Sequence, residues 1–243
     1  MEAVTPSPAF VVQRSDERFY GDHDWLKTFH SFSFADYYDP HNVNFGALRV
    51  FNDDRVAPGS GFPTHPHRDM EILTYVLSGK LEHRDSLGNH GIVGPGGVQY
   101  MSAGTGVRHS EHNHSRDEEL HFIQMWVLPR AAGLAPKYGQ RDFTSDDRSD
   151  RWFHVAAGGS GQPPAPIELR QDAHFYVSRL RGSALEHSFS PKRLRFLFVA
   201  DGDVAANGLS LRTGDAVRMS GVDRLTVEGS GELLLWDVPP TQP

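Results

Sequence analysis

Two short segments concentrate side chains that could bind a metal. GSGFPTHPHRDME carries His65-Pro66-His67, and GTGVRHSEHNH carries His109-Ser110-Glu111. In an extended strand, residues two apart point to the same face, so each pair can aim both side chains at one point. With the two strands side by side and these faces inward, three imidazole nitrogens and one carboxylate surround a single cavity. That donor set suits Fe(II), Mn, Co, Ni, Cu or Zn, and an octahedral ion would keep two positions open for substrate or oxygen. Open positions separate a catalytic centre from a structural one. A lone HxH recurs by chance in exposed loops, whereas HxH followed about 40 residues later by HxE, each beside a Gly-rich turn, is far more specific. Glu71 lies four residues from His67 with the same facing parity, so spacing admits either Glu71 or Glu111 as the carboxylate.

The chain holds 14 His, 11 of them at or before His121. His83 and Asp85, in LEHRDSLGN, could orient a metal-binding imidazole or line a turn, and the turn is the expected role. His112 has the wrong parity for the cavity and is expected to face solvent, as is His114. His121 opens an apolar strand and is expected to be a satisfied core histidine. The C-terminal half has only His154, His174 and His187, with no HxH or HxE.

These side chains need strands to hold them, and strand-like runs dominate the chain. MEILTYVLSG (70–79) and LHFIQMWVLP (120–129) read as buried strands rich in β-branched and aromatic residues. LRFLFVADGD (194–203) sets Leu194, Phe196 and Phe198 on one face at period two. Turn chemistry recurs at Asn52-Asp53-Asp54, Leu87-Gly88-Asn89, Gly94-Pro95-Gly96-Gly97, Asp201-Gly202-Asp203 and Thr213-Gly214-Asp215. Many short strands with regular turns predict an all-β sandwich or barrel. PRAAGLAPKYGQRDF (129–143) is read as a linker and AAGGSGQPPAP (156–166) as a surface loop, which divides the chain into 1–135 and 136–243. The halves echo one another. Gly96-x4-Met101-Ser102 recurs as Gly214-x4-Met219-Ser220 at an offset of 118, and Tyr75–Gly79 matches Phe198–Gly202 at 123. Those offsets favour a duplicated barrel and set Ser188, Ser190, Val227 and Gly229 opposite His65, His67, His109 and Glu111. The second barrel is therefore expected to carry no metal.

Bulk composition narrows the function classes. At 243 residues with 38% hydrophobic and 23% charged residues, the chain is ordinary for a soluble protein of one or two domains. A net charge of −7 offers no generally basic surface, and Pro191–Arg195 is too short a positive run to suggest direct nucleic-acid binding. No run approaches the roughly 20 apolar residues of a membrane span. MEAVTPSPAF lacks both the basic start and the apolar core of a secretory signal. With no Cys, disulfides, thiolate metal sites and thiol catalysis are excluded, and a cytoplasmic location is expected.

The motif spacing also carries a family resemblance. Gly59-x5-His65-x-His67-x3-Glu71 follows the first cupin motif, with Gly79 one residue later than its usual place. Gly106-x2-His109-x3-Asn113 follows the end of the second, with Ala103 or Gly104 where Pro is common. The run from HSFSFADYYDPHNVNFGALRVFNDD through YMSAGTGVRHSEHN to LHFIQMWVLP resembles the pirin family, densely over about 20–145 and thinly beyond. Within that family it is most similar to bacterial proteins described as quercetin 2,3-dioxygenases. The resemblance implies an all-β bicupin fold, two jelly-roll-like barrels packed together. It also implies one divalent metal, Fe(II) before the others, held in the N-terminal barrel by His65, His67, His109 and Glu111, with Glu71 not a ligand.

The activity implied is a mononuclear non-haem dioxygenase that opens the flavonol ring with dioxygen. Glu111 would be the base for the substrate hydroxyl, an effect worth roughly 10²–10⁴ in rate. Phe32, Phe34, Tyr37 and Phe45 could line a flat pocket, but each is expected in the core. The alternative is a metal-binding, redox-sensitive regulatory protein that contacts a protein partner without turnover.

Overall fold

The computed structural model describes residues 9–159 and 164–240. MEAVTPSP at the N-terminus and residues 160–163 of the Gly/Pro-rich loop lie outside them. Among the described residues, helix is confined to a 3-10 turn at Ser15–Glu17 and one α turn at Ser145–Arg148; strands and loops make up the rest. No helix there is long and apolar enough to cross a membrane.

The first half supplies β1 (Ala9–Gln13), β2 (Phe19–Asp22), β3 (Leu26–His30), β4 (Leu48–Val56), β5 (Gly61–His67) and β6 (Glu71–Ser78). It continues with β7 (Leu81–Asp85), β8 (His90–Val93), β9 (Val98–Ser102), β10 (Val107–Asn113) and β11 (Leu120–Val127). After β12 (Lys137–Arg141) come β13 (Phe153–Ala157), β14 (Ile167–Glu168), β15 (His174–Ser188), β16 (Leu194–Ala206), β17 (Leu209–Arg212), β18 (Ala216–Ser220) and β19 (Arg224–Val238). A seven-stranded sheet in the order β12-β9-β6-β11-β4-β3-β2 and a four-stranded sheet β5-β10-β7-β8 make the N-terminal barrel. The C-terminal barrel is one sheet, β1-β18-β16-β19-β15-β13-β14, with β17 paired to β16. The molecule is a bicupin, as expected.

The two barrels turn their corners differently. In the N-terminal barrel the chain breaks between β6 and β7 and between β10 and β11, so two sheets form. In the C-terminal barrel β15, β16 and β19 run on through Gly182, Gly202 and Gly229, all at positive φ, and bend instead. The sequence echo is structural: β9 and β18 each follow a positive-φ glycine, Gly96 or Gly214, and each lies between a central strand and an outer one.

Those outer strands cross the midpoint of the chain. β1 pairs with β18 and β12 pairs with β9, so each barrel takes an edge strand from the other side of residue 135. The linker reading of residues 129–143 is corrected here, because Lys137–Arg141 is a strand. KYGQR lacks an apolar pattern because an edge strand needs backbone partners on one side only and stays half-exposed.

The central sheet of the N-terminal barrel has two unlike faces. Leu73, Tyr75, Phe51, Ile123 and Met125 point outward into a shared core with Phe196, Phe198, Phe175 and Trp236 of the second barrel. Phe51 stacks obliquely on Phe196 and Phe198, with ring centroids 4.8 and 4.9 Å apart. Trp236 Nε1–H points at Met125 Sδ across 3.0 Å. The alternate residues face the barrel interior in rows fixed by register. Met101, Ile72, Trp126 and Val50 form one cross-strand row; Gln99, Thr74, Gln124, Asn52 and His30 form the next; Val76, Phe122, Asp54 and Thr28 form the third. A polar row thus crosses the middle of an otherwise largely apolar barrel. In the C-terminal barrel Leu180, Val199, Val204, Leu211, Leu225, Val227 and Leu233 belong to one buried apolar cluster, so Val227 is packed among aliphatic side chains.

Candidate metal centre

β5 and β10 are antiparallel neighbours, and His109 stands directly opposite His65. Val107 pairs with His67, and a bulge between His109 and Glu111 shifts the register so that Glu111 meets Phe62. On its other edge β10 pairs with β7, which sets His109 opposite Asp85 and Glu111 opposite His83. The side-by-side strands anticipated from HxH and HxE are therefore present. The nitrogens of His65, His67 and His109 lie within 4.8 Å of one another, and Glu111 joins His83 and His109 in a second, overlapping group. His109 and Glu111 are buried; His65 and His67 are half-buried, on the edge strand.

The donor set fits a divalent transition ion. His65 Nδ1–H donates to the Pro63 carbonyl at 2.8 Å, which leaves the Nε2 lone pair free. That Nε2 stands 3.0 Å from His109 Nε2. Two nitrogens roughly 2.0–2.1 Å from one ion stand about 3 Å apart at a right angle, which matches. With His109 Nε2 turned to the cavity, its Nδ1–H donates to His83 Nδ1 at 3.3 Å, and His83 Nε2–H donates to Asp85 Oδ2 at 3.2 Å. Burial pushes the Asp85 carboxyl up, but hydrogen bonds from Asn89, His83 and Leu87 outweigh it and hold it below the usual carboxylate range. Burial, with His109 and His65 close by, pulls His67 down to about 4. Burial, with His65 and His83 adjacent, pulls His109 down to about 3. Both rings are neutral at neutral pH, the form that binds metal.

The expectation that His83 lines a turn is corrected. His83 is fully buried in β7, stacked on Tyr138 at 4.4 Å, and it orients His109. His114 is exposed as expected, His112 is only half-buried, and His121 is satisfied by Asp53 at 2.7 Å.

Glu111 is gripped by the polar row. Gln99 Nε2–H donates to Oε1 at 2.8 Å, Gln124 Nε2–H donates to Oε2 at 2.7 Å, and Thr74 Oγ1 lies 3.4 Å from Oε1. Trp126 Nε1–H donates to Gln124 Oε1 at 3.2 Å and fixes that amide. An unpaired buried amide costs about 1–3 kcal/mol, so these residues are tolerated mid-barrel because Glu111 accepts from them. Each carboxylate oxygen has two lone pairs, so acceptor capacity remains toward the cavity. None of the three was singled out from sequence, although each is a polar residue inside an apolar strand, which is a signal that a partner must exist.

Glu71 is elsewhere. Asp69 adopts φ +48 and the chain leaves β5 for a different sheet, so parity counted from His67 does not survive the turn. Within β6, Glu71 shares its face with Leu73 and Tyr75 and accepts the Arg170 backbone N–H at 2.7 and 2.9 Å. Burial pushes its carboxyl up to about 7, against the Arg170 hydrogen bond. A raised carboxyl favours the folded state below its unfolded value and loses that advantage as pH climbs through 7. Glu71→Gln has no proton to lose, so its stability relative to wild type should improve by on the order of 3 kcal/mol between pH 4.5 and 8. Paired urea titrations across that range measure this, and a flat difference would mean the carboxyl is not held protonated.

A cavity of about 350 Å³ opens beside the centre, lined by His65, His67, Glu111, Gln124, Trp126, Phe34, Phe62 and residues of β3 and β4. Trp126 meets His67 edge-on at 4.8 Å and Phe34 at 5.2 Å. Phe34 thus lines the pocket rather than the core, while Phe32 and Phe45 are core as expected and Tyr37 stacks on Phe19. A larger groove of about 900 Å³, between Arg14, Arg212 and Gly229, lies on the C-terminal barrel. It is shallow and has no imidazole in its lining.

Comparison with known proteins agrees with this arrangement. The family described as Pirin matches residues 12–127, and the family described as Quercetinase C-terminal cupin domain matches residues 160–238. A protein of Escherichia coli K12 named quercetin 2,3-dioxygenase is 40% identical over 94% of this chain and 98% of its own. A Caulobacter vibrioides protein named pirin-like protein is 43% identical over 89% of this chain and 94% of its own. The crystal structure of the bacterial pirin YhhW from Escherichia coli in complex with nickel(II) superposes with a TM-score of 0.89 at 39% identity, over 96% of this chain and 100% of that one.

Proposed function

Because this chain belongs to the pirin family, we propose that it is a mononuclear metal-dependent dioxygenase that opens the heterocyclic ring of a flavonol such as quercetin. One divalent transition metal, Fe(II) before the others, would be held by His65, His67, His109 and Glu111. The observation that carries the reading is the convergence of three imidazoles, with an amide-gripped carboxylate beside them, at an aromatic-walled cavity. The nickel(II) complex of the Escherichia coli pirin supports a divalent ion in a chain of this kind.

When bound, the metal supplies Lewis acidity and a route for electrons between flavonol and dioxygen. The chain's own residues do the rest. Glu111 takes the proton of the flavonol 3-hydroxyl onto a carboxylate oxygen, and Gln99 and Gln124 keep that carboxylate aimed at the cavity. Trp126, Phe34 and Phe62 offer flat apolar surface to a three-ring substrate and exclude water from it. A volume of about 350 Å³ lies within the roughly 300–1,000 Å³ of small-molecule sites. The absence of cysteine and of a basic surface fits a cytoplasmic enzyme that does not bind nucleic acid directly.

Protein loaded in turn with Fe(II), Cu(II), Mn(II), Co(II) and Ni(II) tests the reading. With quercetin under air, oxygen uptake, carbon monoxide release and loss of the flavonol absorbance band should appear together, and all three should stop under nitrogen. If every loaded form leaves the flavonol intact, catalysis is the wrong reading and a metal-binding regulatory protein replaces it.

A further inference from the structure

The cavity has a second polar wall that neither the metal set nor Glu111 uses. β3 and β4 are antiparallel, with Thr28 opposite Asp54 and His30 opposite Asn52. The two pairs are two residues apart, so all four side chains share the interior face, and all four line the cavity. Each is at most 4% exposed. Thr28 Oγ1–H donates to Asp54 Oδ1.

Two buried polar atoms of this wall, His30 Nδ1 and Asn52 Oδ1, have no hydrogen-bond partner among the described residues. In the same cross-strand row Gln99 Oε1 is likewise unpartnered, but the donors at that end find Glu111. Thr74 and Gln124 reach Glu111 through their side-chain donors, and so does the Gln99 Nε2–H. Beyond Gln124 the same row passes into Asn52 and His30, where no protein group answers. A buried polar atom left unmade costs about 1–3 kcal/mol, a cost that a bound molecule can relieve. Around the wall the lining is apolar, from Leu26, Phe34, Phe62 and Trp126. A ligand suited to this space is flat and aromatic in its body and carries hydroxyl donors at one end.

We propose that Thr28, His30, Asn52 and Asp54 form a hydroxyl-recognition subsite that selects polyhydroxylated aromatic substrates over the bare ring system. The subsite rests on the flavonol reading for the reacting end of the molecule and adds what holds the other end. Asp54 and Asn52 accept from phenolic hydroxyls, Thr28 keeps the Asp54 carboxyl turned to the cavity, and His30 completes the row as donor or acceptor according to its tautomer.

Binding rather than turnover gives the test. Metal-loaded protein is titrated calorimetrically under nitrogen with quercetin and with 3-hydroxyflavone, which keeps the reacting hydroxyl and ketone but lacks the other hydroxyls. Wild type should bind quercetin at least about 10-fold more tightly, the equivalent of one well-made hydrogen bond. Asp54→Asn and Asn52→Leu should each bring the ratio of the two dissociation constants toward one, with metal content at the wild-type level. A ratio that is one in wild type, or that both variants keep, overturns the subsite while leaving the flavonol reading in place. If wild type binds neither compound, the flavonol reading falls and the subsite with it.

Discussion

Replacing His65 and His67 together with alanine should take bound metal from about one ion per chain to near zero. Two of the three converging imidazoles disappear, and His109 is left with Glu111 and with His83, whose nitrogen it already engages. Structural zinc in zinc-finger peptides binds with an apparent free energy of about 10–16 kcal/mol from four ligands, and losing half of a ligand set removes several powers of ten in affinity. The fold should survive, because both residues are half-exposed on β5, the edge strand of its sheet. Elemental analysis of protein purified without chelators, beside a circular dichroism spectrum of unchanged strand content, reads out the result. Metal retained near one equivalent in a folded double variant would defeat the assignment, since both clusters of three potential metal ligands found among the described residues lie in the first barrel.

Glu111→Gln should lower turnover by roughly 10²–10⁴, the usual worth of a positioned base. The substitution keeps the shape but turns one carboxylate oxygen into a donor that faces a donor. Gln99 can answer by turning its amide, since its Oε1 has no partner, whereas Gln124 is pinned by Trp126. The new side chain therefore settles with its oxygen toward Gln124. Metal affinity should fall with turnover, because a neutral amide is a weaker ligand than a carboxylate. Glu71→Gln, on the opposite face of the sheet, should leave both at wild-type levels. A Glu111→Gln protein that keeps metal and turnover, beside a Glu71→Gln protein that loses its metal, would reverse the roles of the two carboxylates.

The choice between those carboxylates illustrates what each level of description can decide. Strand parity is local geometry, so His65 with His67, and His109 with Glu111, could be paired from spacing alone. The same count extended to Glu71 failed because one residue, Asp69, takes a left-handed conformation and sends the chain into another sheet. Period-two reasoning holds only within an unbroken strand.

Strand content, the duplicated barrel, the HxH and HxE pairs and the lack of either pair in the second half were all determined by the sequence, through periodicity and residue type. Tertiary structure alone decided which strands became neighbours. It set His65 against His109, brought the His83–Asp85 relay behind His109, and aligned Gln99, Thr74 and Gln124 under Glu111. It also sent β1 and β12 to the opposite barrels, where short, half-exposed edge strands carry little pattern of their own. The physical reason is that facing repeats every two residues along a strand, whereas register is chosen by burial and hydrogen bonding between segments tens of residues apart. A polar residue in an apolar strand declares that it needs a partner; only the closed barrel says which one it has.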